Sequence, residues 1–318
     1  MSRVAKFAWG LLAYNLLVIA WGAYVRASGS GAGCGAHWPL CNGEVLPRAP
    51  GVEMLVELSH RITSGLALVG GLALAIAAHR SQPRGSLVRR GAWTAFGFVC
   101  AEALIGAALV LFELVAHDKS MKRGLSMALH LTNTFFLLAA LALTAFWASG
   151  GSRVSLRRQG ALPWVFGVAI AGMLLLGASG AVTALGDTLF PVHTLSEGLA
   201  ADLSHGAHLF VRLRVLHPVI ATAVAALVLA ASTFARILRP SPQVRSLARS
   251  VSMLVLAQMV AGVVNVTLLA PVPMQLVHLL LADAVWIALV LLTASALRAP
   301  DPSEAKNASL VAPTAVPS

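Results

Sequence analysis

The sequence is poor in charge, and the charge that it carries is mostly positive. Only 11% of the 318 residues are charged, and 12 acidic residues stand against 23 lysines and arginines. An ordinary soluble domain carries about a quarter charged residues. With 58% hydrophobic residues and a mean hydropathy of +0.81, this composition excludes a soluble core and predicts an all-α integral membrane protein.

Cysteine is also scarce, with three residues in the chain. Neither a Cys-x-x-Cys nor a His-x-x-x-His spacing occurs, so the sequence offers no ordinary zinc site. The net charge of +11 requires no nucleic acid as a partner, because basic loops that face anionic lipid account for it.

Eight apolar runs are long enough to cross about 30 Å of hydrocarbon. Arg3 and Lys6 precede the first run as they would in a signal peptide, but the run is too long and no convincing cleavage site follows, so we expect a retained helix. The eight predicted spans are residues 7–25, 56–78, 91–113, 126–148, 161–185, 211–235, 248–270 and 274–297.

The distribution of lysine and arginine predicts the orientation. Most of those outside the spans fall on the side that the N-terminus shares, which places both termini in the cytoplasm. Loops 26–55 and 186–210 are then extracytoplasmic, where disulfides persist. No matrix-targeting presequence is visible, so we expect a bacterial plasma membrane.

The chain reads as a parallel repeat. Residues 101–106, AEALIG, match residues 257–262, AQMVAG, and histidines recur at matching places in both halves. We predict two tandem, pseudo-symmetric four-helix bundles, residues 1–150 and 151–300, related by an axis along the membrane normal. Residues 301–318, rich in Pro, Ala and Ser, are expected to be a disordered cytoplasmic tail.

Four histidines lie four to six residues into the even-numbered predicted spans: His60, His130, His217 and His278. One such histidine is explained by an interhelical hydrogen bond, but four that repeat by helix and by depth favour haem iron with two axial imidazoles. The predicted pairs are His60 with His130, and His217 with His278. The other histidines are interpreted as solvated residues in loops or at interfaces: His37, His79, His117, His193, His205 and His208.

The two halves differ beside these histidines. Glu57 precedes His60 by three residues, whereas Arg214, with Arg212 near it, precedes His217 by three. Residues i and i+3 share a helix face. A guanidinium suits a haem propionate, while a carboxylate can accept a proton from a reacting group or simply stabilise a helix N-terminus. The asymmetry suggests that one haem is modified and the other is retained.

The arrangement resembles the haem A synthase family, membrane enzymes that oxidise haem O to haem A for cytochrome oxidases. The likeness covers about residues 7–297. It is carried by the first loop, SGSGAGCGAHWPLCNG at residues 28–43, by Glu-x-x-His-Arg at residues 57–61, and by the four histidines.

The resemblance implies a substrate haem O at His60 and His130 and a resident haem b at His217 and His278. Glu57 would take part in converting the C8 methyl of the porphyrin to a formyl group by successive hydroxylations, with water as the oxygen source. Cys34 and Cys41 would form the disulfide found in many members. Their short separation outside the reducing cytosol agrees with this, and a metal site on the two thiols is the alternative.

The expected partners follow from the same resemblance. They are the lipid bilayer, a haem O synthase as the donor, and an electron acceptor that the sequence does not identify. Small-residue stretches such as Gly70-Gly71 permit close packing, and so a homo-oligomer, without fixing the number of subunits. Loop 186–210 is either solvated or a partner surface, and Cys100 is expected to be a packed thiol.

Two other functions use the same histidines. A dihaem b-type electron-transfer cytochrome would retain two haem b groups but leaves Glu57 and the first loop without a role. A haem carrier would release haem unchanged. A haem O synthase is not supported. Prenyl transfer requires aspartate-rich sites for magnesium diphosphate, and Asp283 is the only aspartate in the predicted spans.

Overall fold

The computed structural model describes residues 1–157 and 159–299, and the predicted tail lies outside these ranges. Within them the protein is helical, with only isolated β-bridges at Cys41–Glu44 and Val154–Arg298. A 3₁₀ turn, Ser30–Ala32, follows the first helix. The helices are α1 Arg3–Ala27, α2 Val52–Ser81, α3 Leu87–Leu111, α4 Met121–Ala148, α5 Leu162–Leu189, α6 Leu195–Leu203, α7 Leu209–Leu213, α8 Leu216–Leu238, α9 Pro242–Thr267 and α10 Val272–Ala296.

Eight spans in the described residues are long and apolar enough to cross a membrane, and the sixth, Leu209–Leu238, combines α7 and α8. This confirms the prediction of an all-α multi-pass membrane protein. The helices run beyond the predicted apolar stretches because polar residues continue and cap them. Ser120, for example, accepts a hydrogen bond from the Arg123 N–H and starts α4 five residues before the predicted span.

The first four helices pack as a group and so do α5, α8, α9 and α10. In the first half, α1 and α3 each pack against both α2 and α4, whereas α2 and α4 have little direct packing between them. In the second half, α8 packs between α5 and α9, and α9 packs on α10. Helix α4 also packs on α5 and α10. The division into two bundles remains a prediction, since the halves share an extensive interface.

Trp286 and Phe135 lie at the centre of that interface. Both are completely or almost completely buried. Their rings stack with centroids 4.9 Å apart, and the Trp286 indole N–H donates a 2.7 Å hydrogen bond to the Phe135 carbonyl oxygen. The bond satisfies the one polar group of a large apolar side chain that joins α10 to α4.

The adjacent glycines of α2 serve packing within the chain. A Cβ on Gly70 would lie 2.8 Å from Leu11 Cδ1, and one on Gly71 would lie 3.0 Å from Val99 Cγ1. These positions let α2 approach α1 and α3 closely. Gly70 and Gly71 therefore serve helix packing inside the chain. They give no support to the predicted homo-oligomer, which remains a prediction.

The sixth span is broken one turn before His217. Helix α7 ends at Leu213, and α8 begins at Leu216. Pro218 has no N–H to bond the carbonyl of Arg214 four residues earlier, and its ring crowds that carbonyl. Arg214 and Val215 nevertheless keep right-handed helical dihedral angles, so the two short pieces continue in the same direction as one span.

Candidate functional site

The loop between α1 and α2 is closed by the predicted disulfide. Cys34 and Cys41 are bonded and completely buried, which confirms the pair and leaves no free thiols for a metal there. The Asn42 N–H donates to the Cys34 carbonyl at 3.0 Å. We call the end of the protein that carries this loop, residues 28–51, the loop end; in an up-and-down helical chain the even-numbered spans all start there.

Glu57 is held against this loop. Its side chain is buried in α2, with 3% of the residue exposed. Oε2 accepts a 2.8 Å hydrogen bond from the Cys34 N–H, and Oε1 accepts from Arg61 Nε at 3.1 Å and also from Arg61 Nη2. Glu57 thus bonds to the loop and to Arg61, not to the N-terminal N–H groups of its own helix.

Arg61 completes the link between α2 and the loop. Its Nη1 donates to the carbonyl oxygens of His37 at 2.6 Å and Leu40 at 2.7 Å. One guanidinium therefore bridges the Glu57 carboxylate and the backbone between the two cysteines. His37, interpreted as a solvated residue, contributes its backbone to this contact.

All four predicted histidines lie toward the loop end. Three of them lie about two turns into their helices, while His217 is the second residue of α8 and lies about two turns into the combined span of α7 and α8. His60 on α2 and His130 on α4 belong to the first group of packed helices, and His217 on α8 and His278 on α10 belong to the second. The pairing of these histidines at a haem iron remains a prediction.

Glycines face three of these imidazoles. A Cβ on Gly22 of α1 would lie 2.8 Å from His60 Cε1, and one on Gly180 of α5 would lie 3.1 Å from His217 Cε1. A Cβ on Gly262 of α9 would lie 3.2 Å from His278 Cε1. A side chain at any of these positions would displace or crowd the ring.

The ring nitrogens differ in their partners. The Ser179 hydroxyl lies 3.0 Å from His217 Nδ1, and Gln258 Nε2 lies 3.3 Å from His278 Nε2. Nδ1 of His60 and of His278 is buried with no hydrogen-bond partner in the described part of the chain. Buried polar groups are normally bonded, so these atoms mark polar positions that a ligand or water would satisfy.

His130 instead faces a carboxylate. Its Nδ1 lies 2.5 Å from Oε2 of Glu102 on α3, at the separation of an ion pair but without the alignment of a hydrogen bond. Glu102 Oε1 accepts from Asn133 Nδ2 at 2.8 Å and Thr134 Oγ1 at 2.9 Å. The AEALIG and AQMVAG match contained this glutamate, but only the packing of α3 on α4 shows which residue it faces.

These donors fit haem iron. Each pair offers two imidazoles from helices that lie diagonally or pack only slightly on one another, and glycines keep the backbone of neighbouring helices close to the rings. Zinc fits less well: the described residues contain no group of three or more His, Cys, Asp or Glu side chains placed to hold a metal ion.

Arg214 and Arg212 were predicted near a propionate. Arg214 Nη1 lies 3.2 Å from Asp187 Oδ1, and its Nε and Nη2 each lie 2.9 Å from Asp202 Oδ1. Arg214 lies just before α8 with helical dihedral angles and so stays about one turn from His217, and its contact with a propionate remains a prediction. Arg212, in the last turn of α7, remains a predicted contact.

The same contacts order loop 186–210. Besides the two aspartates, Arg214 Nη1 donates to the Phe190 carbonyl at 3.3 Å, and Lys119 Nζ lies 4.8 Å from the centroid of the Phe190 ring. Helix α6 occupies the middle of this segment. Asp187 itself falls within α5, which extends past the predicted fifth span.

Comparison with known proteins identifies the class. A model of the COX15-CtaA family, described as cytochrome oxidase assembly protein, matches residues 5–290. This chain belongs to that family.

Individual relatives match over different lengths. Haem A synthases of Bacillus mycoides and Bacillus cereus are 37% and 36% identical over 128 residues, 40% of this chain and 41% of theirs. A Thermus thermophilus protein named protohaem IX farnesyltransferase is 55% identical over 296 residues, 93% of this chain but 49% of that protein. The chain thus spans about half the length of the curated relatives it matches.

Proposed function

We propose that this protein is a haem A synthase that oxidises the C8 methyl of haem O to a formyl group. Membership of a cytochrome oxidase assembly family and likeness to haem A synthases support a role in haem A biosynthesis. The observation that carries the specific activity is the asymmetry between two matched histidine pairs. Among the described residues, only the first pair has a buried glutamate, Glu57, one turn from a histidine and fixed by the disulfide loop.

In this proposal residues 1–150 hold the substrate and residues 151–300 hold a resident haem b. His60 and His130 bind the iron of haem O, and His217 and His278 bind that of haem b. The Ser179 hydroxyl beside His217 Nδ1 would fix the imidazole so that Nε2 faces the iron. The matched glycines Gly22 and Gly180 would keep both sites open to a planar ligand.

The reaction proceeds in two similar steps. Water adds to the methyl carbon while two electrons and two protons leave, which gives a hydroxymethyl group. A second water and a second loss of two electrons and two protons give a geminal diol, which releases water and becomes the formyl group. The oxygen therefore comes from water, and four electrons must reach an external acceptor.

Glu57 would serve both steps. Removing electrons from the substrate leaves positive charge on the macrocycle, and a fixed carboxylate in a site of low polarity stabilises that charge. The same carboxylate can take a proton from the attacking water. Arg61 and the Cys34 N–H hold it in place, so it needs no reorganisation during the reaction.

The bound haem b would supply one-electron transfer from the substrate site toward the acceptor. The protein would hold that haem close to the first site, and the packing of α4 on α5 and α10 supports this proposal. The acceptor is proposed only as an external electron carrier, and a haem O synthase as the donor of substrate.

The setting is proposed to be a bacterial plasma membrane, with both termini in the cytoplasm and the histidine pairs toward the extracytoplasmic side. The disulfide at the loop end supports this orientation, because disulfides persist outside the reducing cytosol.

Prenyl transfer, the activity in the name of the Thermus relatives, is not proposed. The chain covers only half of those proteins, and its family match accounts for nearly all of its own length. Magnesium diphosphate would require a cluster of acidic side chains. Asp283 is completely buried in α10 and belongs to no such cluster in the two described ranges.

The test is haem extraction from a host that makes haem O but no haem A. Cells that express the wild-type chain should yield haem A, or its hydroxymethyl precursor, by chromatography and mass spectrometry. The matched control is His60→Ala, which should yield haem O and haem b only. Haem b alone from folded wild-type protein, with haem O present in the membranes, would replace the synthase by a dihaem electron-transfer cytochrome.

A further inference from the structure

The carboxylate beside His130 is rigidly held. Glu102 Oε1 accepts a hydrogen bond from Asn133 Nδ2 and lies 2.9 Å from Thr134 Oγ1, whose single proton is shared between Oε1 and the His130 carbonyl; these residues stand three and four positions after His130 on the same helix. Asn133 Nδ2 also donates to the Phe98 carbonyl of α3 at 3.0 Å. Oε2 is thereby left facing His130 Nδ1, 2.5 Å away.

The second half lacks this charge and both of its anchors. Gln258 occupies the place of Glu102 in the AQMVAG repeat, and its neutral amide Nε2 lies 3.3 Å from His278 Nε2, while His278 Nδ1 has no carboxylate beside it in the described residues. Three and four residues after His278 stand Leu281 and Ala282, which can donate no side-chain hydrogen bond. The two halves therefore differ at three positions that contact one another, those of Glu102, Asn133 and Thr134, and not at a single residue.

We infer that Glu102 is a positioning residue for His130 that sets the reduction potential of the first haem site below that of the second. A hydrogen bond from Nδ1–H of His130 to Oε2 of Glu102 would leave Nε2 for the iron. A carboxylate that accepts this hydrogen bond makes the imidazole a stronger donor to the metal, and its negative charge favours the ferric state. This inference rests on the proposed role of His130 as a haem ligand.

The consequence is a direction for electron flow. Electrons leave the substrate in the first half and must pass outward. A lower potential at the His60–His130 site than at the His217–His278 site makes transfer from the first to the second favourable. The neutral Gln258 is as important to this arrangement as the charged Glu102.

The test is a redox titration of purified protein reconstituted with haem b in both sites, followed by its absorption spectrum. His60→Ala assigns the first-site wave as the one that it removes. Glu102→Gln gives the first half the amide found in the second half. At a given applied potential, the ratio of ferric to ferrous haem at the first site should fall about tenfold, which corresponds to a rise of about 59 mV in its one-electron reduction potential. The second-site wave should not move.

A reciprocal variant and a control ensure that the test does not depend on correct folding of Glu102→Gln alone. Gln258→Glu should lower the second-site potential and leave the first unchanged. Thr132→Val removes a hydroxyl of α4 that bonds only the Ala128 carbonyl, and it should move neither wave. If Glu102→Gln fails to bind haem, Gln258→Glu decides the question.

Unchanged potentials in both variants would overturn the role of Glu102. That failure is distinct from failure of the proposed function. Suppose that the wild-type protein yields no haem A but that Glu102→Gln raises the first-site potential. The role of Glu102 in setting the potential would then stand, and the proposed synthase activity would be rejected.

Discussion

Arg26 and Gln275 join the first helix to the last. Arg26 Nη2 donates a 2.7 Å hydrogen bond to Gln275 Oε1, while its Nη1 donates to the Ala184 carbonyl at 2.7 Å and to Thr188 Oγ1 at 2.6 Å. One side chain at the end of α1 thus bonds α5 and α10. This contact ties the half that contains His60 to the half that contains His217, at the loop end.

Arg26→Met should loosen the two halves. Each hydrogen bond of a charged group is worth roughly 1.5–3 kcal/mol, so we expect at least about 2 kcal/mol of destabilisation and a lower melting temperature in detergent. Arg48→Met, at an exposed position of the loop, is the control. Gln275→Leu also removes the bond from Gln275 Nε2 to the Ala270 carbonyl. The double variant should still lose less stability than the sum of the two single variants, because they share one bond; full additivity would show that the contact does not couple the helices.

Glu57→Gln should retain haem and lose turnover. The amide keeps the size of the side chain and can still accept from the Cys34 N–H, but it carries no charge and is no base. General acid–base catalysis contributes roughly 10²–10⁴-fold, so haem A formation should fall at least about 100-fold with the haem content unchanged. Glu53→Gln, one turn earlier and exposed, is the matched control. Wild-type turnover by Glu57→Gln would remove Glu57 from the mechanism.

Much of this site was predictable because its signals are local. Apolar runs longer than a bilayer predict spans wherever their neighbours lie, and histidines repeated at one depth stand out against an apolar background. The disulfide was implied by the family resemblance, and the short loop between the two cysteines agreed with it. Glu57 was recognised by its spacing from His60 on a single helix.

What the sequence did not reveal depends on contacts between distant segments. Glu102 meets His130 through the packing of α3 on α4, and no spacing along either helix specifies that meeting. Arg61 was visible, but its bonds to the loop backbone were not. The partners of Arg214, Asp187 of α5 and Asp202 of α6, were likewise not visible from its spacing to His217.

Reducing the Cys34–Cys41 disulfide should act on Glu57 through the loop. The disulfide joins two residues with a sequence separation of 7. Its loss should lower the free energy of unfolding by roughly 2–3 kcal/mol and leave the loop less ordered. The Cys34 N–H would then no longer fix Glu57 Oε2. We expect Cys34→Ser to lower haem A formation more than haem content, measured together in one extract. Equal losses of both would mean that the disulfide only supports folding.

Gly22→Ala should displace His60 and empty the first site selectively. The added methyl would lie 2.8 Å from Cε1 and 3.0 Å from Nε2 of the imidazole, closer than carbon atoms approach without a shift of the ring or of α1. We expect the haem bound per protein to fall by about half, with the His217–His278 haem retained, since only one of two sites is disturbed. Gly10→Ala is the control on the same helix, because nothing lies within 4 Å of the position of its Cβ. Gly180→Ala, where the nearest ring atom is 3.1 Å away, should show the reverse selectivity and a milder loss. Full haem content in Gly22→Ala, with the first-site spectrum unchanged, would show that His60 does not bind the iron in this orientation.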